Sequence, residues 1–155
     1  MDGDVYQIRA ARPAGHAVIA GLLLETRAAL GFLPVDDPPA LRRFVREVLL
    51  PQSRVSVALE GDRLAGFLAL GAGTVAPSSV EQLWVRPDYQ GRGLGSRLLG
   101  LAKVQSAGGL DLWVFEANRR AIAFYQRHGF QTVRQTDGAD TMEKLPDRLM
   151  RWSAV

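Results

Sequence analysis

The chain has 155 residues, a formal net charge of +3, and a composition that is 47% hydrophobic and 23% charged. These values are ordinary for a globular protein, so we expect one domain over residues 1–155 whose core needs no disulfide. The chain has no cysteine, which excludes disulfides, thiolate catalysis and thiolate metal sites. It shows no signal peptide, no apolar run of membrane-spanning length and no basic tract. We therefore expect a cytoplasmic protein that binds neither membranes nor nucleic acid.

The first half of the chain predicts a strand, two helices and a β-hairpin. Apolar residues recur at helical spacing, including Val18 and Leu22 in the first helix and Val45 and Val48 in the second. Alternating apolar residues on either side of a turn at 60–63 indicate the hairpin. The predicted ranges are 5–11 for the strand, 13–30 and 40–50 for the helices, and 54–60 and 64–70 for the hairpin strands.

The second half predicts strands that alternate with helices. After a turn-rich connection over 71–79, a strand leads into a glycine-rich loop and a helix that ends near Ala107. The predicted strands cover 80–85, 110–115, 130–135 and 148–152, and a further helix covers 118–128. This order of elements predicts a mixed α/β domain of three layers.

Three glycines alternate where the helix after the loop begins, at Gly91, Gly93 and Gly95. Because they carry no Cβ, an anionic ligand can approach the backbone, and the free N–H groups of a helix start favour negative charge. The loop therefore predicts a phosphate or pyrophosphate site. A P-loop is disfavoured because Ser96-Arg97 follows the last glycine, and a dinucleotide fingerprint because its third glycine position holds Ser96.

Two blocks of sequence carry a resemblance to a known family. The first, Gln90-x-x-Gly93-x-Gly95, resembles the acetyl-CoA loop of the GNAT superfamily of N-acetyltransferases. The second, Asn118-x-x-Ala121-x-x-x-Tyr125-x-x-x-Gly129-Phe130, resembles that superfamily's next block. The resemblance implies a GNAT-like acyl-CoA N-acyltransferase fold, a single α/β domain with a mixed, largely antiparallel sheet flanked by helices.

The same resemblance implies the cofactor site. In that family the strand before the loop binds the pantetheine arm and polarises the thioester carbonyl through its backbone. The Asn118 position hydrogen-bonds the cofactor arm, and asparagine also suits the N-cap of a helix. The residues implied to bind acetyl-CoA, as cosubstrate, are Leu83, Trp84, Val85, Gln90, Gly91, Arg92, Gly93, Leu94, Gly95, Ser96 and Asn118. Arg86 and Arg97 are expected to help Arg92 hold the phosphates.

Two side chains are the predicted catalytic groups. Tyr125 matches the tyrosine that GNAT enzymes direct at the thioester sulfur as general acid, and a phenol pKa of about 10 lets it donate to a thiolate at neutral pH. Strand alternation puts Glu81 on the face of Leu83 and Val85, where a carboxylate would look toward the acceptor amine. Glu81 also resembles the strand glutamate of polyamine acetyltransferases, and the roles of base and amine anchor both stay open. Neither histidine has a partner at metal-ligand spacing, so no metal is expected.

The predicted function is transfer of an acetyl group from acetyl-CoA to a primary amine of a small molecule or peptide, by direct attack in a ternary complex. The alternatives are a non-catalytic acyl-CoA-binding regulatory domain, a protein-interaction domain, and a kinase, which the missing Gly-Lys-Ser/Thr disfavours. Four acidic residues near the end of the chain suggest a cationic acceptor: Asp137, Asp140, Glu143 and Asp147. The acceptor, the acyl-chain preference and the oligomeric state, including a homodimer, stay open.

Overall fold

The computed structural model describes residues 5–73, 76–106 and 108–154. Within these ranges the strands and helices follow one another in the predicted order, with bounds that differ by a few residues from the predicted ones. The strands are β1 (Gln7–Ala10), β2 (Ser53–Glu60), β3 (Arg63–Gly71), β4 (Ser78–Val85), β5 (Gly109–Phe115), β6 (Gln131–Thr136) and β7 (Asp147–Ser153). The helices are α1 (His16–Leu30), α2 (Pro38–Phe44), α3 (Leu94–Gln105) and α4 (Arg119–Arg127). The predicted helix end at Ala107 and residues 74–75 of the predicted connection lie outside the described residues.

The strands of the described chain form one sheet in the order β1-β2-β3-β4-β5-β7-β6. All neighbours are antiparallel except β4 and β5, whose parallel pairing joins only Ser78 to Leu110 and Ser79 to Asp111. Beyond those residues β4 stays paired with β3 and β5 with β7, so a gap opens between β4 and β5. The mixed, largely antiparallel sheet flanked by helices confirms the predicted fold class.

Helices cover both faces of the sheet, and each face buries its own apolar cluster. On one face, α3 contributes Leu98, which is fully buried against residues of β3 and β5 that include Leu68. On the other face, α1 contributes Leu22, which packs with Phe67 of β3. Val18 was predicted to lie on the apolar face of this helix with Leu22, but it is 56% exposed.

A π-helical segment explains a second apolar residue that faces solvent. The helix α2 continues through Val45–Leu49 in π-helical form and ends with one turn over Leu50–Gln52. The N–H of Leu50 bonds to the carbonyl of Val45, five residues back. The wider turn rotates the positions that follow, so that Val45 and Leu49 are buried and Val48 is 40% exposed. The prediction that Val48 packs inward is therefore wrong.

A β-bulge interrupts β4 at Glu81. Ala69 of β3 pairs with Gln82, whereas the next residue of β3, Leu70, pairs with Val80. Glu81 is therefore the extra residue of the bulge, and the regular alternation of side chains is lost at this point.

The bulge changes the face of the sheet on which Glu81 lies. Its carboxylate Oε1 is 3.2 Å from the position that a Cβ on Gly71 would occupy. That position is on the face of β3 that packs against α1, the face to which Phe67 also belongs. The prediction that Glu81 shares a face with Leu83 and Val85 is wrong, because it assumed unbroken alternation along β4.

Candidate active site

The gap between β4 and β5 opens into a cleft that reaches both faces of the sheet. Its volume is about 950 Å³, which is the size of a small-molecule site. One end, the α1 end, is bordered by Thr26 and Phe32, and the other, the loop end, by the glycine-rich loop and α4. A ligand that lies in this cleft would therefore contact both halves of the sheet.

The loop end presents a row of free backbone N–H groups. Gly91 and Gly93 have φ of 77° and 84°, values that glycine adopts readily. No backbone carbonyl of the described residues outside the helix accepts a hydrogen bond from residues 91–96, and the first N–H groups of α3 have no acceptor within the helix. A Cβ at Gly91 or Gly93 would point into open space. Successive N–H groups of this kind are typical of backbone nests that bind anions, so the geometry is compatible with the predicted phosphate site.

The middle of the cleft is edged by backbone groups of β4 that pair with no neighbouring strand of the described chain. The N–H of Arg86 bonds to the carbonyl of Ala65 at 2.8 Å. Because hydrogen-bonded and non-hydrogen-bonded pairs alternate in an antiparallel ladder, Trp84 directs its N–H and C=O toward β3. Leu83 and Val85 direct theirs into the gap, where β5 has already diverged. The side chain of Trp84 also borders the cleft.

Tyr125 of α4 borders the cleft with a phenol that is otherwise buried. It is 9% exposed and packs against the rings of Phe124 and Phe130, with centroids at 5.3 and 5.5 Å. Its hydroxyl forms no hydrogen bond within the described part of the chain. Every fully buried polar side-chain atom in that part has a hydrogen-bond partner. The hydroxyl is therefore not fully buried, and it opens on the cleft that Tyr125 borders. Burial raises the pKa of Tyr125 above its ordinary value. The phenol is therefore protonated at neutral pH and free to donate to a ligand.

Two further predicted residues brace the mouth of the cleft. The Asn118 Oδ1 accepts a hydrogen bond from the N–H of Ala121 at 3.2 Å, so the predicted N-cap is confirmed. The Gln90 Nε2 donates to the carbonyl of Val85 at 2.9 Å, and its Oε1 accepts from Arg120 at 2.9 Å. Gln90 thus ties the end of β4 to α4 across the cleft.

Two of the predicted cofactor-binding residues keep their side chains out of the cleft. Arg92 places its guanidinium over the ring of Tyr89, 5.2 Å from the centroid. Leu94 is 1% exposed and belongs to the core. Neither side chain borders the cleft, so these residues offer a phosphate only their backbone N–H groups. Arg86 was expected to hold phosphate as well, but it pairs with Glu25 instead.

The arginines at the loop end are Arg119, Arg120 and Arg127 of α4. Sequence reasoning missed them and proposed Arg97, which does not border the cleft. The sequence does hold an indication of their role. Two arginines stand at the start of a helix, where the helix dipole favours acidic residues. Within the described chain Arg120 donates to Gln90, and Arg119 helps to lower the pKa of the nearby Glu116.

The α1 end of the cleft carries carboxylates. Glu81 and Glu143 both border it. Arg27 of α1 pairs with Asp36 at 2.8 Å and lies 3.9 Å from Glu143. Asp147, another of the acidic residues predicted to attract a cation, is buried instead and accepts a hydrogen bond from Thr136.

Aromatic side chains form the walls of the same end. Phe32, in the segment between α1 and α2, meets Phe115 of β5 edge to face, with centroids 5.8 Å apart. Trp113 also borders the cleft and is 50% exposed. Other aromatic residues of the chain, including Phe44 and Trp152, pack against the two cores.

None of the helices in the described part of the chain has the length and apolarity that a bilayer crossing requires. Across the same residues, no three acidic or histidine side chains gather in a group that could hold a metal ion.

Comparison with known proteins identifies the family. The protein-family model of the acetyltransferase (GNAT) domain matches residues 51–132 of this chain. Since this match covers more than half of the chain, the chain belongs to the GNAT acetyltransferase family.

Named relatives agree with this assignment. The N-alpha-acetyltransferase RimI of Mycobacterium tuberculosis is 36% identical over 102 residues, 63% of this chain and 65% of the relative. The chain thus spans less than two thirds of that relative, and the matches with two others cover 26% and 30% of their lengths. The peptidyl-lysine N-acetyltransferase YjaB of Escherichia coli is 28% identical over 144 residues, 92% of this chain and 93% of the relative.

Solved structures show the same fold. The solution structure of apo YjaB from Escherichia coli has a TM-score of 0.76 at 25% identity and covers 96% of this chain and 97% of that one. The PaiA N-acetyltransferase of Thermoplasma acidophilum, solved in complex with coenzyme A, has a TM-score of 0.79 at 20% identity and covers 96% and 98%.

Proposed function

We propose that this chain is an acetyl-CoA-dependent N-acetyltransferase that transfers an acetyl group to a primary amine by direct attack in a ternary complex. One observation carries the proposal: a nest of free N–H groups at residues 91–96 and the unpaired backbone edge of β4 border the same cleft. A phosphate-bearing thioester needs both features. The related chains named N-acetyltransferases support the same activity.

The loop end would hold the pyrophosphate of acetyl-CoA. The N–H groups of residues 91–96 bond to no backbone carbonyl of the described residues, and a Cβ at Gly91 or Gly93 would meet open space, so both donors and room are available for a phosphate. A hydrogen bond to a charged group contributes about 1.5–3 kcal/mol. Arg119, Arg120 and Arg127 add positive charge at the same end of the cleft.

The edge of β4 would hold the acyl arm and the reacting carbonyl. Leu83 offers its N–H and C=O, and Val85 its N–H, which no strand of the described chain uses on that side. The Val85 carbonyl already accepts a hydrogen bond from Gln90. A backbone N–H aimed at the carbonyl oxygen stabilises the negative charge that develops there during attack. Loss of one such donor typically costs about 2.7–4 kcal/mol of transition-state stabilisation.

Tyr125 would serve the sulfur that leaves. When the amine nitrogen bonds to the carbonyl carbon, the carbon–sulfur bond breaks and the electron pair goes to sulfur. The Tyr125 hydroxyl has no other partner within the described chain and can donate to that sulfur. Because burial raises the pKa of the phenol, Tyr125 carries its proton at neutral pH and can donate it to the leaving sulfur.

Glu81 would serve the amine. The bulge turns its carboxylate to the α1 side of the sheet, opposite the loop that would hold the pyrophosphate. An amine that enters from the α1 end must lose a proton, and Glu81 can accept it directly or through water, or can hold the cationic amine in place. Glu143 borders the same end and favours a cationic acceptor.

The acceptor is a primary amine of a peptide or a small molecule, and the name of YjaB puts peptidyl lysine on the list to test. We also propose that the chain acts as a single domain. We further propose that it acts in the cytoplasm, a location that the absence of cysteine favours.

Thiol release tests the activity. The protein is incubated with acetyl-CoA and a panel of amino acids, peptides, polyamines and aminoglycosides, and products are identified by their gain of an acetyl group. With an acceptor in hand, initial rates at varied concentrations of both substrates should give intersecting lines, and parallel lines would contradict direct attack. Tight binding of acetyl-CoA without release on any acceptor would favour the regulatory-domain alternative.

A further inference from the structure

The hydroxyl of Ser96 and the ring of His128 form a pair beside the glycine loop. Ser96 lies in the first turn of α3 and borders the loop end of the cleft. Its Oγ is 3.1 Å from the Nε2 of His128, which follows the last residue of α4. The imidazole packs against the ring of Phe124, with centroids 4.6 Å apart. The ring is therefore held at hydrogen-bonding distance from a hydroxyl at the predicted phosphate site.

The presence or absence of a proton on Nε2 of His128 decides what the Ser96 hydroxyl can do. If Nε2 carries no proton, it accepts the hydroxyl proton of Ser96, and only oxygen lone pairs face an incoming phosphate. If Nε2 carries a proton, the ring donates to Ser96 Oγ, and the hydroxyl proton is free to bond to a phosphate oxygen. The imidazolium has a proton on both nitrogens and always permits the second arrangement.

The surroundings of His128 favour the neutral ring as long as no anion is present. Its pKa is lowered from the ordinary value by burial, and further by Lys103 of α3 and Arg127 of α4. Lys103 is held close by a 2.7 Å hydrogen bond from its Nζ to the His128 carbonyl. The end of a helix was expected to favour a cation at this position, whereas burial and the two neighbouring cations favour the neutral ring. No carboxylate of the described residues raises the pKa of His128 against these effects.

We propose that His128 is a positioning residue of the phosphate site, which takes up a proton when the pyrophosphate of coenzyme A binds and thereby directs the Ser96 hydroxyl at it. This inference rests on the proposed function, because it requires coenzyme A at the loop. An anion at the loop offsets the two cations and favours the imidazolium. The pKa of His128 is then higher in the complex than in the free chain. Affinity is greatest below the pKa of the free chain and weakens as pH rises through the pKa of the complex.

The probe is dephospho-CoA, which keeps the pyrophosphate but lacks the terminal phosphate monoester, a group that itself titrates near pH 6. The chain has only two histidines, so the NMR signals of both rings can be followed through a pH titration with and without the probe. We expect the midpoint of His128 to rise on binding and that of His16, near the start of α1, to stay in place. Affinity should then tighten by up to about tenfold between pH 8 and pH 5.

Two variants complete the test. His128→Gln keeps a side chain that can bond to Ser96 but cannot titrate, so it should bind dephospho-CoA with an affinity that is independent of pH. Ser96→Ala should bind more weakly and show a smaller change in the His128 midpoint. The inference is overturned if dephospho-CoA binds while the His128 midpoint stays in place or falls, a result that leaves the proposed function intact. If dephospho-CoA and acetyl-CoA both fail to bind at any pH, the proposed function fails, and this inference fails with it.

Discussion

Replacement of Gly93 by alanine separates the binding role of the glycine loop from its backbone geometry. Gly93 has a φ of 84°, and a Cβ there meets no atom of the chain within 4 Å. Alanine therefore brings backbone strain without a clash. Strain in the left-handed region is about 1–2 kcal/mol, which for a domain of this length lowers Tm by roughly 2–8 °C.

The effect on binding is larger if the loop holds phosphate. The open space in front of Gly93 is where the pyrophosphate would lie, so the new methyl group pushes the phosphate away from at least one N–H group. One charge-assisted hydrogen bond contributes about 1.5–3 kcal/mol, and about 1.4 kcal/mol corresponds to a factor of ten. The Kd for acetyl-CoA should therefore rise by about tenfold or more, measured by titration calorimetry on the folded variant.

Gly31 offers a matched control. It follows the last residue of α1 with a φ of 81°, and a Cβ there also meets nothing within 4 Å. Gly31→Ala should lower Tm about as much as Gly93→Ala and leave the Kd for acetyl-CoA unchanged. If the two variants bind acetyl-CoA equally well, the loop is not the phosphate site and the reasoning is refuted.

Three further substitutions test the remaining parts of the site and the fold. Tyr125→Phe should lower turnover by about 100-fold or more with little change in acetyl-CoA affinity, and full turnover would reduce Tyr125 to a packing residue. If Glu81 is the base, Glu81→Gln should lose turnover at neutral pH and regain part of it at high pH, where free amine accumulates. If Glu81 is an amine anchor, the same variant should show a higher KM for the amine at unchanged kcat. Glu116→Gln tests acid stability, because hydrogen bonds from Arg148 at 2.6 and 3.0 Å lower the pKa of Glu116. The wild type should be the more stable protein at neutral pH, and denaturant unfolding should show that advantage disappear as pH falls from about 4.5 through the lowered pKa.

Local patterns account for the features that the sequence predicts correctly. The alternating glycines, the asparagine that caps α4 and the apolar spacing of α3 all depend on residues close together in the chain. Because short-range steric and hydrogen-bonding rules determine them, the loop geometry around Gly93 and the cap at Asn118 agree with expectation.

Long-range pairing accounts for the features that sequence reasoning missed. Arg86 is paired with Glu25, 61 residues away, and Glu143 comes close to Arg27 only once the sheet has formed. The bulge at Glu81 depends on how β4 pairs with β3, which no period within β4 reveals. Such contacts are properties of the folded topology, so a sequence pattern can name the residues without placing them.

Amide hydrogen exchange, resolved by residue with NMR, tests the placement of acetyl-CoA most directly. In the free protein the amides of residues 91–96, and those of Leu83 and Val85, have no backbone acceptor among the described residues and should exchange quickly. The amide of Trp84 faces β3 and should be protected throughout, which makes it an internal control. Saturating acetyl-CoA should slow exchange in the loop and at Leu83 and Val85 while Trp84 stays as it was. Binding that protects none of these amides, or protects another surface instead, would contradict a cofactor held between β4 and β5.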